Sequence, residues 1–554
     1  MKKTFVTIGM AFLLVILVNV LSGFVYTRFD LTEDHRYTLS DAAIASVSEF
    51  ERPVIVDVLL AGNLSPEFVK LRTETLQILE EFASQNPNIK FTFVNPLENT
   101  ADVNQTITEL QGLGLTPAQV TVEDNSKVSQ DIVFPWAMVN YGNNTVKVPL
   151  LKNTLGATPE ERVNNSVQHL EYAFADAFSK INIKTKKQVA VLKGNGELED
   201  IFLADFLTAI RDYYNIGAIT MDSVATNPQK TLNQLKEYDL ALIAKPTEAF
   251  SDAEKYVLDQ FIVSGGKSLW LMDKVNMELD SLFNEQGSAL ALPRDLNLND
   301  FFFKYGIRIN SDLVNDMYFT QIVLATGEGN ASQYDPVPWY YHPMVFSRND
   351  HPINNNLEAI RLQFASSIDT LSNENKKTVL LQSSPLSRLE GTPQQISLGI
   401  INNPPKKENY TDGDKALAVL VEGEFNSAFE NRVKPVQLQN PIEKGKFNKM
   451  LVVSDGDIIK NQVRKGRPLE LGYDKWTNNY YGNKEFLINA VNYLLDEKGL
   501  INIRNKKVAV PFLDPQKIAV QKSKWQLMNI GLPLILILLF GLGFAYFRRR
   551  KYAG

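Results

Sequence analysis

Two long apolar segments lie near the ends of the chain, and the region between them alternates apolar and polar positions as a globular protein does. Phe5–Tyr26 is a run of 22 positions without a charged residue, and Leu527–Phe547 is also uncharged. About 20 apolar residues in a helix cross the ~30 Å hydrocarbon core of a bilayer. The pattern therefore predicts transmembrane helices at residues 5–26 and 525–547.

The first apolar segment has a competing interpretation as a cleaved signal peptide, which also begins with basic residues. A signal peptide has an apolar core of only about 7–15 residues and a small-x-small cleavage site. The run here is longer, and no Ala-x-Ala pattern precedes Tyr26. These features favour an uncleaved anchor.

The charges beside the two segments predict their orientation. Lys2 and Lys3 precede the first segment, and the cluster Arg548–Lys551 follows the second at the start of a basic tail, residues 548–554. Basic clusters stay on the cytoplasmic side. Lysines at 517, 522 and 524 reduce the contrast across the second segment. We expect a bacterial inner-membrane protein with both termini in the cytoplasm and most of the chain in the periplasm.

Strand-like and helix-like segments alternate in residues 27–185. Helix starts are indicated by Ser40, by Ser65-Pro66 and by a capping box from Thr158 to Glu161. Strands are predicted at Val54–Leu60 and Ile89–Val94, and two or three more within 118–148. The resulting order, β-α-β-α-β-β-α, is that of a thioredoxin-like domain without its redox motif.

A second α/β pattern occupies residues 186–500. Its buried strands are predicted at Val189–Leu192, Asp239–Ala244, Ser268–Met272, Thr378–Gln382, Ala416–Val421 and Met450–Ser454. Helices between them, one opened by a capping box at Ser251 and the last at Glu485–Leu495, indicate a largely parallel, doubly wound sheet. Residues 277–375 are less regular and are predicted to be an insertion, and residues 501–524 a juxtamembrane segment.

Composition excludes several classes of function. The chain contains no cysteine, which excludes disulfides, thiolate metal sites and a cysteine nucleophile. The six terminal cations at positions 2, 3 and 548–551 leave 51 basic against 63 acidic residues, a net charge of −12. An acidic surface of this kind argues against a nucleic-acid partner.

Two glycine-containing segments superficially indicate nucleotide binding. Gly194-x-Gly196 follows a strand, but Glu199 stands where the third glycine of a dinucleotide fingerprint belongs. Gly265-Gly-Lys-Ser268 imitates the end of a P-loop, but it follows a helix instead of preceding one. We therefore interpret the second segment as a helix C-terminus, and the sequence predicts no bound cofactor.

Carboxylates and histidines are the remaining candidates for chemistry. Asp455-Gly-Asp457 follows a strand, where two carboxylates could hold a metal, although a turn with solvated carboxylates fits the spacing better. The four histidines have no metal-binding spacing, and no G-x-S-x-G nucleophile motif occurs. No catalytic or metal-binding residue is therefore predicted.

An aromatic segment, Pro336-Val-Pro-Trp-Tyr-Tyr-His-Pro343, allows two interpretations. Exposed Trp and Tyr provide large contact area at low entropic cost, so a loop of this composition suits partner recognition. The alternative is a loop packed against its own domain. Both remain open at this point.

The arrangement resembles the gliding-motility-associated ABC transporter auxiliary proteins, the GldG family. The segments that carry the resemblance are Asp30–Ser40, Lys193–Glu197, the helix before Gly265-Gly266, Trp339–Pro343 with His351-Pro-Ile353, and Val452–Asp457. The resemblance covers essentially the whole chain. It implies a central domain similar to the glutamine-amidotransferase fold, without the cysteine that such enzymes need.

The resemblance also implies a function. The chain would be a non-enzymatic accessory subunit associated with a multi-span permease and a separate cytoplasmic ATPase. Candidate partner-binding residues are Arg36, Tyr37, Trp339, Tyr340, Tyr341 and His342. Two other hypotheses stay open: a binding module that captures a ligand for import, and a membrane-tethered envelope hydrolase using Asp455 and Asp457.

Overall fold

The structure is a computed structural model. It describes residues 38–98, 100, 102–124, 127–152, 158–183, 185–326, 333–496, 499–505 and 515–552, with single positions at 10, 13, 14 and 16. Most of the first predicted transmembrane segment, together with Arg36 and Tyr37, lies outside the described residues. The chain divides into two units, Met1–Lys507 and Val508–Gly554.

Among the described residues, the first part of the larger unit contains four helices and six strands. The helices are α1 (Asp41–Ser48), α2 (Pro66–Gln85), α3 (Val103–Gly112) and α4 (Pro159–Ile181). The strands are β1 (Val54–Val58), β2 (Ile89–Phe93), β3 (Ala118–Asp124), β4 (Lys127–Val133), β5 (Trp136–Tyr141) and β6 (Asn144–Pro149).

Four of these strands form a mixed sheet in the order β2-β1-β5-β6. β1 pairs with β2 in parallel and with β5 in the antiparallel sense, while β3 and β4 form a separate hairpin. Alternate β1 side chains, beginning with Val54, are buried, as expected for a strand with one face against the core. Phe178 of α4 is fully buried, with its ring centroid 5.1 Å from that of Phe82 on α2 and 6.1 Å from that of Phe50.

The central part of the chain begins with alternating strands and helices. In chain order they are β7 (Gln188–Lys193), α5 (Asp200–Ile210), β8 (Asn215–Thr220), α6 (Pro228–Leu235), β9 (Leu240–Ala244), α7 (Asp252–Val263) and β10 (Lys267–Leu271). Short strands and one short helix follow: β11 (Val275–Asn276), β12 (Ser288–Pro293), α8 (Asn299–Lys304), β13 (Ile307–Ile309), β14 (Asp312–Asp316), β15 (Phe319–Thr326), β16 (Gln333–Val345), β17 (Ile360–Arg361), β18 (Ile368–Thr370), β19 (Lys376–Gln382), β20 (Ser387–Gly391) and β21 (Gln394–Ser397). The remaining elements of this unit are β22 (Ala416–Asn426), β23 (Lys444–Val453), β24 (Val463–Arg464), β25 (Arg467–Pro468), β26 (Tyr473–Asp474), β27 (Asn479–Tyr480) and α9 (Asn483–Leu495).

A nine-stranded sheet forms the centre of this part. Its order is β13-β18-β22-β23-β10-β9-β7-β8, with β19 also paired to β22. Five strands, from β8 to β23, run parallel, whereas β22, β18, β13 and β19 extend the sheet by antiparallel pairing. Residues of α5 and α9 pack in one hydrophobic cluster with the sheet, and residues of α6 and α7 pack in another. Helices therefore cover both faces, and the inner parallel strands β7, β9 and β10 are mainly buried.

Small sheets form the region that the sequence predicts as an insertion. They are β11-β12-β21, β14-β20 and β15-β16-β17, and they share a hydrophobic cluster that includes Trp339, Tyr341 and Phe364. Two strands of this region, β13 and β18, join the edge of the main sheet. The insertion is thus continuous with the central fold.

The second unit contains the helix α10 (Pro515–Tyr552). Within it, Gln521–Tyr552 is long and apolar enough to cross a membrane, and an 18-residue stretch of it has a mean hydropathy of 2.4. Leu527, Ile537 and Phe540 on this helix are all more than half exposed. The predicted apolar segment 525–547 lies inside this helix, and the predicted juxtamembrane segment is itself helical from residue 515.

Mixed α/β architecture is confirmed, and both capping boxes, at Thr158 and Ser251, are present. Two details were wrong. Residues 118–149 form four strands, because Phe134-Pro135 interrupts what the sequence pattern shows as one apolar run. The central sheet is parallel for five of its nine strands, since β22 returns beside β23 in an antiparallel pair.

The buried aromatic cluster of the first sheet generates a stability prediction. Replacing the fully buried Phe178 with alanine removes its packing against Phe50 and Phe82. We expect the free energy of unfolding, measured with urea, to fall by about 3–5 kcal/mol. Phe303→Ala is the control, because that side chain is 64% exposed and its loss should cost less than about 0.5 kcal/mol. Equal effects of the two changes would contradict this description of the core.

Candidate functional site

Charged side chains meet at the carboxyl ends of three adjacent parallel strands. Lys245 directly follows β9, Asp273 lies just after β10, and Asp455 and Asp457 follow β23. Because β9, β10 and β23 are parallel neighbours, these positions lie at the same edge of the sheet. With Glu278 from the start of the insertion, they form what we call the acidic–lysine cluster.

The Lys245 ammonium lies at the centre of this cluster. Its Nζ is 2.5 Å from Glu278 Oε1, 2.6 Å from Asp457 Oδ1 and 3.3 Å from Asp273 Oδ2. The side chains of Lys245, Asp273 and Asp457 are 4–6% exposed, whereas Glu278 is 38% exposed. One ammonium thus contacts carboxylates that come from three separate segments of the chain.

Backbone geometry brings these segments close together. Lys245 has a φ of +55°, which turns the chain sharply as it leaves β9. Gly456 packs against it, and a Cβ at that position would lie 2.5 Å from Lys245 Cγ. The Gly456 N–H also donates a hydrogen bond of 2.6 Å to Asp273 Oδ1. Only glycine allows this close approach.

Asp455 is buried and is hydrogen-bonded to backbone. Its Oδ2 accepts from the N–H of Gln363 at 2.7 Å, and its Oδ1 accepts from the N–H of Asp457 at 2.7 Å. The carboxylate therefore holds the insertion segment at Gln363 against the loop after β23. The prediction of a turn with solvated carboxylates was wrong, because both aspartates are drawn inward by donors and cations that lie far away in sequence.

Burial and neighbouring charges move the pKa values in this cluster. Burial, reinforced by Asp457, raises the pKa of Asp273 to about 6, with Lys245 acting in the opposite direction. Burial and the carboxylates of Asp457 and Asp273 raise the pKa of Asp455 well above its usual range. Burial also acts to raise the pKa of Asp457, but Lys245 and Lys460 outweigh it and hold that pKa below its usual value. Burial alone would lower the pKa of Lys245, but the surrounding carboxylates raise it.

The carboxylates of Asp273, Glu278 and Asp457 have the spacing of possible metal ligands. One oxygen from each lies within 4.8 Å of the others. Lys245 Nζ already lies within 3.3 Å of all three side chains, so a metal ion would have to displace the ammonium. The donor set suits a hard cation, but the lysine supplies the positive charge that such an ion would bring.

A cleft of about 410 Å³ opens beside the cluster. It lies between the loops at the carboxyl ends of the strands and the small sheets of the insertion. Asp457 and Lys460 contribute to its wall, and four aromatic side chains line it: Phe202, Phe283, Phe364 and Trp476. The exposed Trp476 stacks on Tyr334 with ring centroids 6.0 Å apart. The cleft therefore combines aromatic surface with charged groups.

The crevice between β7 and β9 is filled by its own loops. Strand order reverses between these two strands, which is where open α/β sheets often bind ligands. Here the Asn195 carbonyl accepts from the N–H groups of Thr247 and Glu248, both at 2.9 Å. A Cβ at Gly196 would lie 2.1 Å from Thr247 Oγ1. The glycines of the Gly194-x-Gly196 turn thus serve close loop packing.

The predicted aromatic loop is a strand. Trp339, Tyr340, Tyr341 and His342 lie in β16 and are all at most 5% exposed. Strand pairing is possible despite the prolines because Pro336 and Pro338 occupy alternate positions, so their missing N–H groups fall on one edge. This burial favours packing within the domain, and partner binding by these four residues stays a prediction.

Sequence reasoning missed Lys245, Asp273 and Glu278. A signal was present for the first two, because Lys245 follows the apolar strand β9 and Asp273 follows the apolar run Leu269–Met272, much as Asp455 comes shortly after Met450–Val453. Parallel neighbours place their carboxyl ends together. Glu278 had no such signal, because its position depends on the path of the insertion. The prediction that Gly265-Gly266 ends a helix is confirmed, since α7 ends at Val263 and the Gly266 N–H bonds to the Phe261 carbonyl.

Two families match parts of the chain. Residues 186–490 match the family described as an ABC-type uncharacterized transport system, and residues 33–140 match a domain of unknown function, DUF7088. No curated protein matches. A solved structure, the mmIFT52 N-terminal domain, is 13% identical with a TM-score of 0.30, covering 56% of this chain and 97% of its own. A similarity at this level carries no argument about fold or function.

The central ammonium generates a prediction about stability and pH. Lys245→Met leaves the buried carboxylates without their cation, so we expect a loss of about 3–5 kcal/mol at pH 8. In the variant the carboxylates bind protons more tightly in the folded than in the unfolded state. Their contribution to stability therefore falls as pH rises above the ordinary carboxyl pKa of about 4, and the fall extends beyond the pKa of about 6 that Asp273 has when Lys245 is present to lower it. The difference from the unmodified chain should consequently shrink at pH 5, measured by thermal unfolding.

The matched control for this change is Lys434→Met. Lys434 Nζ lies 2.7 Å from Glu443 Oε1, in a partly exposed pair. Removing it should cost at most about 1 kcal/mol at either pH. A Lys245→Met effect no larger than this control, or one that is equal at pH 5 and pH 8, would contradict the assigned role.

Proposed function

The chain belongs to the family described as an ABC-type uncharacterized transport system, and from this premise we propose that it is a non-enzymatic accessory subunit of an ABC transporter complex linked to gliding motility. The family match over residues 186–490 is the observation that carries the proposal. The link to gliding motility rests on the resemblance of the sequence motifs to the GldG family.

The geometry of the acidic–lysine cluster supports a role without catalysis. Asp457 is paired with Lys245 and Lys460, and both oxygens of Asp455 accept backbone hydrogen bonds. A general acid or base needs an atom that can reach a substrate. Asp455, with both oxygens bonded to backbone, and Asp457, held through Oδ1 by two cations, suit a structural role, which disfavours the hydrolase alternative.

We propose that the two α/β regions are scaffolds of known type. The sheet order β2-β1-β5-β6 followed by α4 supports a thioredoxin-like domain at residues 27–185. The parallel strands with helices on both faces support an amidotransferase-like domain at 186–500. Fold alone does not imply function. In this proposal the scaffolds present surfaces to partner proteins or cargo in the periplasm.

Anchoring by two helices is part of the same proposal. The exposed apolar surface of α10 and the basic run Arg548–Lys551 support an inner-membrane helix with a cytoplasmic C-terminus. The uncharged segment 5–26 would cross the same bilayer. Both helices would pack against a multi-span permease, whose separate ATPase binds on the cytoplasmic side, and Arg36 and Tyr37 would contact partners beside the membrane.

The cleft beside the acidic–lysine cluster also supports an alternative function, that of a module that captures a ligand for import. Its volume of about 410 Å³ falls in the range of small-molecule pockets, about 300–1,000 Å³. A small molecule that binds there should raise the thermal midpoint of the full-length chain in a saturable way. Trp476→Ala should remove that rise. If no candidate cargo changes the midpoint, this alternative fails.

Copurification tests the proposed complex. Full-length protein isolated in mild detergent should retain a permease and an ATPase. Replacing Leu527–Phe547 with an oligo-leucine helix of equal length preserves hydrophobicity but removes the specific side chains that pack against neighbouring helices. We expect the replaced chain to stay in the membrane fraction while the recovered permease, quantified by mass spectrometry, falls several-fold.

The intact chain and its membrane fraction provide the controls. Recovery of the intact chain without either partner would contradict the accessory role. Unchanged permease recovery after the replacement would show that α10 is only a tether.

A further inference from the structure

A second cavity, of about 260 Å³, lies where the first sheet region meets the central one. It is bounded by the chain after β6, by α4, by α9 and by the short helical turn Leu500–Asn505. We call it the junction cavity and define it by Lys152, His169, Tyr172, Glu485 and Arg504, which all line it.

Two cations in this cavity share one carboxylate oxygen. Glu485 Oε1 is 3.1 Å from Lys152 Nζ and 2.8 Å from Arg504 Nη2. The Lys152 side chain is 11% exposed and that of Arg504 is 1% exposed. A pair of buried cations with a single counter-ion leaves positive charge unbalanced in a place that water reaches poorly.

The other charged groups of the lining do not restore the balance. Lys180 and Asp176 neutralise each other at 3.0 Å. Lys147 adds another cation at the exposed rim, where its Nζ donates to the Leu113 carbonyl. The charge of Glu358 raises the pKa of Lys152, but its effect is smaller than those of burial, Glu485 and Arg504. The described lining therefore contains four cations and two carboxylates.

Arg504 is held in place by several contacts. Its Nη2 donates to the Asn355 carbonyl at 2.7 Å, and its guanidinium carbon lies 5.0 Å from the centre of the Tyr172 ring. Its Nε is buried and has no hydrogen-bond acceptor among the described residues. A fully buried N–H donor without a partner is costly in a folded protein. The guanidinium is thus rigid, dehydrated and incompletely satisfied.

Burial lowers the pKa values of two basic groups in the cavity, and the positive charge there acts in the same direction. Burial, with Arg504 as an additional cause, lowers the pKa of Lys152, although Glu485 partly opposes this. Burial followed by Lys152 and Arg504 lowers the pKa of His169 well below its usual value. His169 is therefore a neutral imidazole that can donate one hydrogen bond. An anion beside these groups would relieve the repulsion.

We propose that the junction cavity binds a small oxyanion, a phosphate or carboxylate group, through Lys152, Arg504 and His169. Guanidinium and ammonium groups form strong charge-assisted hydrogen bonds to such oxygens. Tyr172 and Leu150 supply an apolar wall on which the rest of a larger ligand can rest. The anion contacts residues 150–172 and residues 485–504 together, so its binding stabilises the junction between the two sheet regions.

Full-length protein in detergent provides the test. Inorganic phosphate is the probe for a free anion, and dihexanoyl phosphatidic acid is the probe for a lipid headgroup, each titrated against chloride at equal ionic strength. The thermal midpoint should rise in a saturable way with at least one probe, because a ligand that binds only the folded state stabilises it. The probe that acts at the lower concentration identifies the source of the anion.

Variants separate specific binding from a general salt effect. Lys152→Met leaves Arg504 and Glu485 as a one-to-one pair, so the chain should still fold, and the apparent Kd should weaken at least tenfold. Lys152→Arg keeps the charge and should retain binding. Lys304→Met is the control, because Lys304 pairs with Glu430 in a partly exposed site and its loss should leave the Kd unchanged. A midpoint insensitive to both probes, or equal responses of the Lys152→Met variant and the unmodified chain, would overturn the proposal.

Discussion

The ion-pair network around Lys245 connects the central sheet to the region inserted into it. The ammonium contacts Asp273 after β10, Asp457 after β23 and Glu278 at the start of the insertion. Removing Lys245 would leave buried carboxylates without their shared cation, which costs more than an intact pair contributes. The positions of three loops therefore depend on each other, and the cleft beside them takes its shape from all three. The arrangement depends on backbone geometry as well as on charge, because a side chain at Gly456 would collide with Lys245.

The acidic–lysine cluster and the junction cavity differ in charge balance, and this difference indicates different roles. Around Lys245, the cations Lys245, Lys460 and Arg294 face the carboxylates of Asp273, Glu278 and Asp457, and the fourth carboxyl group, Asp455, accepts two backbone hydrogen bonds. Such a cluster needs nothing further and holds loops in place. At the junction cavity, two buried cations share the single carboxylate of Glu485. The excess positive charge in the junction cavity is the reason for proposing an anion there, and the cluster around Lys245 gives no such reason.

Much of the fold could be predicted from local pattern. Apolar runs predicted four of the five parallel strands, and side-chain caps at Thr158 and Ser251 predicted helix starts, because both signals depend on neighbours in sequence. The fifth, the edge strand β8, was missed. The antiparallel return of β22 beside β23 could not be predicted in this way. An apolar strand has the same composition whichever direction its neighbour runs. The separate hairpin β3-β4 was missed for a similar reason, since the break at Phe134-Pro135 between β4 and β5 does not show which strands pair.

Less of the candidate site than of the fold could be predicted from the sequence, because its residues depend on partners that are distant along the chain. Burial of Asp455 and Asp457 depends on donors at Gln363 and Lys245, which are about 90 and 210 positions away along the chain. Nothing near the two aspartates indicates that a cation will be supplied from β9. The same limit applies to Trp339 and His342, whose aromatic composition suits a binding loop and a buried strand equally well. Where a side chain's neighbours come from distant segments, its charge and its partners depend on the topology of the fold. Here β9, β10 and β23 are neighbours in the sheet, and this order brings the basic and acidic residues that follow them into one ion-pair network.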